Sequence, residues 1–285
     1  MSSAERLRDL LNSGDLLTVP GCSDALGATL IEQAGFDAAY MTGFGSSATL
    51  LGQPDVGLLT GSEMVDNARR VASATTLPVI ADADTGYGNP INVIRTVRDF
   101  ERAGVAAVQL EDQVSPKRCG HMSDKQVISA NEMSAKIRAA VETRQEMLII
   151  ARTDARAPES LGAAIERAHS YVDAGADLLF VEALESIDEF AIVGSEAFGV
   201  PLVFNWVEGG RSPALDATQV AELGYQVLLF PISLLLSAAG AMRATLATMR
   251  STGAPTVDSS GDPFTEFNDM IGLPGLLEMQ HRFGS

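Results

Sequence analysis

Histidine, cysteine and basic residues are all scarce in this chain of 285 residues. It has three histidines, two cysteines, and 20 Lys or Arg against 37 Asp or Glu. Two cysteines, Cys22 and Cys119, do not make a disulfide framework, so a reducing cytoplasm is expected. With so few thiols, the scattered His121, His169 and His281 make a structural zinc site improbable. A net charge of −17 argues against a nucleic-acid or anionic-membrane surface, because both need basic patches. The most apolar run, residues 227–242, is short for a membrane span and is interrupted by Pro231. It reads as a buried strand followed by a buried helix. The opening MSSAERLRDLLNSGDLL lacks the apolar core of a secretory signal. None of this excludes an anionic substrate, since a few local cations and a metal ion can dominate a cleft.

Apolar residues make up 46% of the chain, enough for a sizeable core, and their order is informative. One phrase recurs: a helix ending in glycine, then an apolar strand. It appears as EQAGFDAAYMTG, ERAGVAAVQLED, VDAGADLLFVEA and AELGYQVLLFP. Gly35, Gly104, Gly175 and Gly224 suit the left-handed residue that closes a helix. Four further strands, LLTVPGCSDA, LPVIADAD, MLIIARTD and VPLVFNWVEGG, bring the count to eight. Amphipathic stretches at 91–103, 130–143 and 161–174 separate them. Near-continuous apolar strands alternating with helices indicate a parallel sheet covered on both faces. Eight such units predict a (β/α)8 barrel over residues 1–250, with a doubly wound open sheet as the rival. Residues 251–285 form a Ser/Gly/Pro linker and then a helix pair over 263–283, broken at Pro274. Phe264, Phe267, Met270, Ile271, Leu273 and Leu276 are too apolar to be left in water, so this segment is expected to pack on the barrel or on a partner subunit.

Barrel chemistry sits at the carboxyl ends of the strands. Here those ends read YMTGFGSS, ADADTGYG, QLEDQ, ARTDAR, VEALE and NWVEGG. One carboxylate at such an end is most simply a cap or a solvated residue; a series of them is harder to dismiss. Asp82 and Asp84 are two apart on a strand and are expected to point the same way. Two like charges there call for a cation, and Mg²⁺ needs only one or two carboxylates plus water. Glu111 and Asp55 could hold those waters. The alternative is that Asp84 caps a turn while Asp82 binds a barrel lysine or arginine. Asn89-Pro90 reads as a helix N-cap followed by Pro at the first helical position. TGFGSS is either an anion-binding nest of backbone N–H groups or a tight turn. The run SPKRCGHMSD places Cys119 among cationic neighbours in a segment able to move as a lid; the plainer reading is a mobile loop with an incidental thiol.

Together, ADADTGYG, QLEDQVSPKRCGHM, IIARTDA and FNDMIGLP resemble the isocitrate lyase / phosphoenolpyruvate mutase superfamily over nearly the whole chain. The KRCGH lid and Glu182 resemble its lyase branch, which includes 2-methylisocitrate and 2,3-dimethylmalate lyases. The resemblance implies a TIM-type barrel whose C-terminal helix is swapped between subunits of a homotetramer. It implies Mg²⁺ (or Mn²⁺) on Asp82 and Asp84, with Asp55 and Glu111 ordering water. It places Thr42, Gly43 and Phe44 at the carboxylate of an α-keto acid, and it matches Tyr40, Lys117, Cys119, His121, Arg152, Glu182 and Asn205 to active-site positions. Arg118 and Gly120 belong to the same lid. The implied reaction cleaves a 2-hydroxy di- or tricarboxylate, with Cys119 as proton donor and Tyr40 as base. NWVEGGRSP resembles the dimethylmalate lyase and oxaloacetate hydrolase group, which leaves the substrate open. Trp206 is a candidate for shortening the pocket. Oxaloacetate hydrolysis, a phosphonate mutase and a metabolite-binding barrel without chemistry are the alternatives.

Overall fold

The computed structural model describes residues 1–120, 122, 124–256 and 262–284. The chain divides into two compact units, Met1–Leu235 and Leu236–Ser285. In the first, helix α1 (Ser3–Asn12) precedes β1 (Leu17–Cys22), α2 (Ala25–Gln33), β2 (Ala39–Met41), α3 (Gly43–Leu51) and α4 (Gly61–Ser73). There follow β3 (Val79–Asp82), α5 (Pro90–Ala103), β4 (Ala107–Glu111), α6 (Ala130–Thr143), β5 (Leu148–Thr153) and α7 (Leu161–Asp173). The series ends with β6 (Leu178–Val181), α8 (Ile187–Ser195), β7 (Val203–Asn205), α9 (Ala217–Glu222) and β8 (Val227–Phe230). All eight expected strands are present. They pair in parallel in the order β6-β5-β4-β3-β2-β1-β8-β7, and a Leu179–Leu202 bridge links β6 to the segment before β7. The result is a nearly closed TIM-type barrel.

The glycine-terminated helices have the anticipated cause: Gly35, Gly104, Gly175 and Gly224 have φ of 81°, 94°, 100° and 84°. Asn89 caps α5, accepting from the N–H groups of Ile91 and Asn92, with Pro90 at the first helical position.

Two cores share the strands. Val19, Tyr40, Ile80, Leu148, Ile150, Leu178, Phe180, Val203, Val227 and Leu229 pack inside the barrel, over Ala4 and Leu7 of α1. The intervening strand residues, such as Val79, Ala81, Val108, Ile149, Leu179 and Phe204, pack against Met64, Val97, Phe100, Ile137 and Val193 of the surrounding helices. This alternation, fixed by the period of two along a strand, decides where the chemistry lies. Continued one step past the inner apolar residues, it directs Thr42, Asp82, Glu111, Arg152, Glu182 and Asn205 inward at the carboxyl ends.

Two expectations need correction. Helix α10 (Ser233–Thr252) carries no buried residue, so the apolar run at 227–242 is a buried strand followed by an exposed helix. The C-terminal helices α11 (Pro263–Met270) and α12 (Leu273–Phe283) part at Ile271-Gly272; Pro274 sits in the first turn of α12, where its missing N–H costs nothing. In α11 and α12 the large apolar side chains stay exposed, Phe264 at 79% and Leu276 at 59%.

Barrel closure rests on a close approach at β1. A Cβ on Gly21 would lie 2.2 Å from the Pro231 carbonyl oxygen just after β8. Gly21→Ala is therefore expected to lower unfolding free energy by about 1–3 kcal/mol. Urea unfolding followed by circular dichroism checks this, and an unchanged midpoint would contradict the packing described.

Candidate active site

The inward carboxyl-end residues meet in a cavity of about 270 Å³ lined by Tyr40, Thr42, Asp55, Asp82, Lys117, Cys119, Gly120, Arg152, Glu182 and Asn205. The lining also includes the apolar side chains of Phe44, Met122, Phe180, Val207, Leu229, Pro231 and Ile232 and one further carboxylate, Glu208.

Lys117 organises the acidic side. Its Nζ lies 2.7 Å from Asp55 Oδ2 and 2.8 Å from Asp84 Oδ1, with a side chain 5% exposed. Burial works against the ammonium. The combined field of Asp84, Asp82, Glu111 and Asp55 outweighs it and holds the Lys117 pKa well above the ordinary value. Asp82 remains on β3, but Asp84 lies beyond the strand with φ of +47°, and its N–H donates to Asp82 Oδ1 at 3.0 Å. The two aspartates thus converge through a local turn and not through strand alternation. Gly43 permits this approach, since a Cβ there would stand 2.4 Å from Asp82 Oδ2.

Arg152 anchors the opposite side. Its Nε and NH2 donate to Asp154 at 2.9 and 3.1 Å. It also lies 3.4 Å from Glu111 Oε2 and 3.3 Å from Glu182 Oε2. Asn205 Nδ2 donates to Glu182 Oε2 at 3.2 Å. Asp154 was missed by sequence reading. Burial opposes its charge, but Arg152 and Lys125 hold its carboxyl below the usual range. Its N–H donates to Asp112, which also accepts from Thr153 and Tyr171 at 2.7 Å and from Arg167 at 3.3 Å. The available signal was its place in ARTDAR, two residues after Arg152.

Thr42 caps α3, its hydroxyl accepting from Gly45 N–H. The first N–H groups of α3, on Gly43 and Phe44, have no partner within the helix, and such an N-terminus favours an anion. TGFGSS is thus a helix start. Tyr40 is buried and its hydroxyl donates to Gln109 Oε1 at 3.4 Å. Burial, then Asp82, push its pKa well above the ordinary value, which disfavours the phenolate. Cys119 lines the cavity, and its N–H donates to the Asp55 carbonyl at 3.2 Å. Arg118 does not join the site: its side chain is exposed and off the cavity wall, while its backbone is held by Gln113. Trp206 packs against Phe230 at 5.5 Å and is likewise off the wall. His121 lies outside the described residues.

Among the described residues no three His, Cys, Asp or Glu side chains gather into an all-protein metal cage. The donor set does fit a hard divalent ion held as Mg²⁺ usually is, by one or two carboxylates, water and substrate. Five buried carboxylates, Asp55, Asp82, Asp84, Glu111 and Glu182, share the buried cations Lys117 and Arg152. Glu111 Oε1 is buried without a hydrogen-bond donor, and so is Asp84 Oδ1, which faces Lys117 Nζ without an aligned hydrogen bond.

The phosphoenolpyruvate phosphomutase family model matches residues 7–250. The chain belongs to the isocitrate lyase / phosphoenolpyruvate mutase superfamily. Within it, the chain is 45% identical to 2,3-dimethylmalate lyase of Eubacterium barkeri, over all of this chain and 99% of that protein. It is 42% identical to 2-methylisocitrate lyase of Halalkalibacterium halodurans, over 88% of this chain and 83% of that one. The solved structure of oxaloacetate acetylhydrolase with 3,3-difluorooxalacetate matches with a TM-score of 0.95 and 38% identity, covering 100% of this chain and 98% of that one.

Burial raises Asp82 to about 6 despite Lys117. A carboxyl raised by folding costs stability. The cost is absent at low pH, where folded and unfolded states are both protonated, and complete above the folded pKa. In chelating buffer, Asp82→Asn is therefore expected to raise unfolding free energy by on the order of 1–3 kcal/mol at about pH 8, and not at about pH 4. Denaturant melts at the two pH values test this; destabilisation at the higher one would contradict it.

Proposed function

We propose that the protein is a divalent-metal-dependent lyase acting on an alkyl-substituted 2-hydroxy di- or tricarboxylate, of the dimethylmalate or the methylisocitrate type respectively. It would cleave the C2–C3 bond to give an α-keto acid and a carboxylate. The observation that carries this reading is one cavity lined together by buried carboxylates, the cations Lys117 and Arg152, a set of apolar side chains, and Cys119. Among the described residues the cations lining it are Lys117 and Arg152, which favours two carboxylates over three.

In this reading Arg152 holds the carboxylate of the keto-acid end, a task suited to its planar fork, with the N–H groups of Gly43 and Phe44 assisting. Mg²⁺, or Mn²⁺ in its place, would be held by Asp82 and Asp84 with Asp55 and Glu111 ordering its water, and would supply Lewis acidity and positive charge. Tyr40 takes the 2-hydroxyl proton; Arg152 and Lys117, which lower its pKa, are the groups of this chain that favour the phenolate. The C2–C3 electron pair passes to the carbon beside the leaving carboxylate, and Cys119 gives that carbon its thiol proton. Lys117 and Gly120 face the departing fragment, a role the family resemblance extends to His121, while Glu182 and Asn205 fix Arg152. The apolar lining residues take the alkyl substituent. The exposed apolar side chains of α10, α11 and α12 support a homotetramer in which the C-terminal segment packs on a partner subunit. No helix among the described residues is long and apolar enough to cross a membrane, and a cytoplasmic location is part of the proposal.

The likeness to oxaloacetate acetylhydrolase supports a second reading, hydrolysis of oxaloacetate to oxalate and acetate. A panel with Mg²⁺ separates the two: 2,3-dimethylmalate, 2-methylmalate, 2-methylisocitrate, isocitrate and oxaloacetate, read by release of keto acid or oxalate. Release of pyruvate from an alkylmalate is expected; turnover of oxaloacetate alone would replace the lyase reading. On the active substrate, Cys119→Ala should lower kcat by about 10²–10⁴ with little change in KM. Near-normal turnover would remove Cys119 from its role.

A further inference from the structure

Lys125 is buried and takes no part in the chemistry outlined above. Its side chain is 1% exposed, and its Nζ lies 2.7 Å from Asp154 Oδ1, itself fully buried. Burying an ammonium is costly unless its partners are well placed. Neutralising Asp154 does not explain the expense, because Arg152 already gives that carboxylate two hydrogen bonds. The remaining contact does: Lys125 Nζ also donates to the Gly120 carbonyl.

Gly120 follows Cys119 and lies directly on the Arg152–Glu182 pair. A Cβ there would stand 2.4 Å from Arg152 NH2 and 2.6 Å from Glu182 Cγ. On the other side of Cys119, Asp55 accepts both the Lys117 ammonium and the Cys119 N–H. The thiol-bearing residue is thus tied at both flanks, to Asp55 through Lys117 and to Asp154 through Lys125.

We propose that Lys125 is a positioning residue: by joining the Gly120 carbonyl to Asp154, it sets Cys119 relative to Arg152. One ammonium then fixes the distance between the group that binds carboxylate and the group that delivers the proton. Only the kinetic part of the test below rests on the lyase reading.

The test compares Lys125→Met and Lys125→Arg with the unaltered chain, each shown to be folded by its thermal melt. Alkylation of Cys119 by iodoacetamide is followed by peptide mass spectrometry, with Mg²⁺ and oxalate present, and kcat and KM are measured on the active substrate. In Lys125→Met, alkylation of Cys119 is expected to be at least about tenfold faster and kcat about 10–100-fold lower, with KM nearly unchanged, as for outer residues that orient a site. Lys125→Arg, which retains the charge and a donor, should fall between. Should Lys125→Met not fold, Lys125→Gln is read by the same measurements. A folded variant lacking the lysine with unaltered alkylation and kcat overturns the proposal. So does a loss of thermal stability alone, which would mark Lys125 as merely structural. Alkylation requires no turnover, so faster alkylation in a chain inactive on every substrate would uphold the tie while removing the lyase reading.

Discussion

Everything in this cleft depends on how the Lys117 ammonium is shared between Asp55 and Asp84. Like charges brought together out of water repel strongly, because the surroundings no longer screen them. Lys117 relieves part of that repulsion and Arg152 relieves another part. The carboxylates still outnumber the cations, and Asp82 keeps a raised pKa. A protein retains such an arrangement at a cost in stability only where something else completes it. The surplus of negative charge is therefore read as the binding determinant of the proposed reaction.

The same lysine joins the acidic cluster to loop placement. Asp55 receives Lys117 through its carboxylate and the Cys119 N–H through its carbonyl. On the far side, Asp154 receives both Arg152 and Lys125. Each aspartate therefore serves one binding group and one backbone position near the thiol. A substitution at any of the four would be felt at the others, and their effects should not add.

Much of the fold was legible because it rests on repetition. Gly35, Gly104, Gly175 and Gly224 mark the helix ends, and the apolar runs after them mark strands that must be covered on both faces. The inward positions were legible too, since a period of two carries Ile80 to Asp82, Ile150 to Arg152 and Phe180 to Glu182. What escaped was set by non-local packing. Asp84 leaves the strand through a positive φ, a turn that spacing alone does not reveal. Arg118 lies in the expected motif, yet Gln113 turns it to the surface. Asp154 lies within IIARTDA, but neither that motif nor the sequence around Lys125 shows that the two side chains meet. The exposure of α10 was equally hidden, because an apolar sequence says that a face needs covering and not what covers it.

The central claim is that the unneutralised charge around Asp82, Asp84 and Glu111 is a divalent-cation site. Titration of the metal-free protein with Mn²⁺, followed by electron paramagnetic resonance, tests it most directly. The account predicts one bound ion per chain and at least about tenfold weaker binding in Asp84→Asn. Equal affinity in the two proteins, or no binding in either, would contradict it.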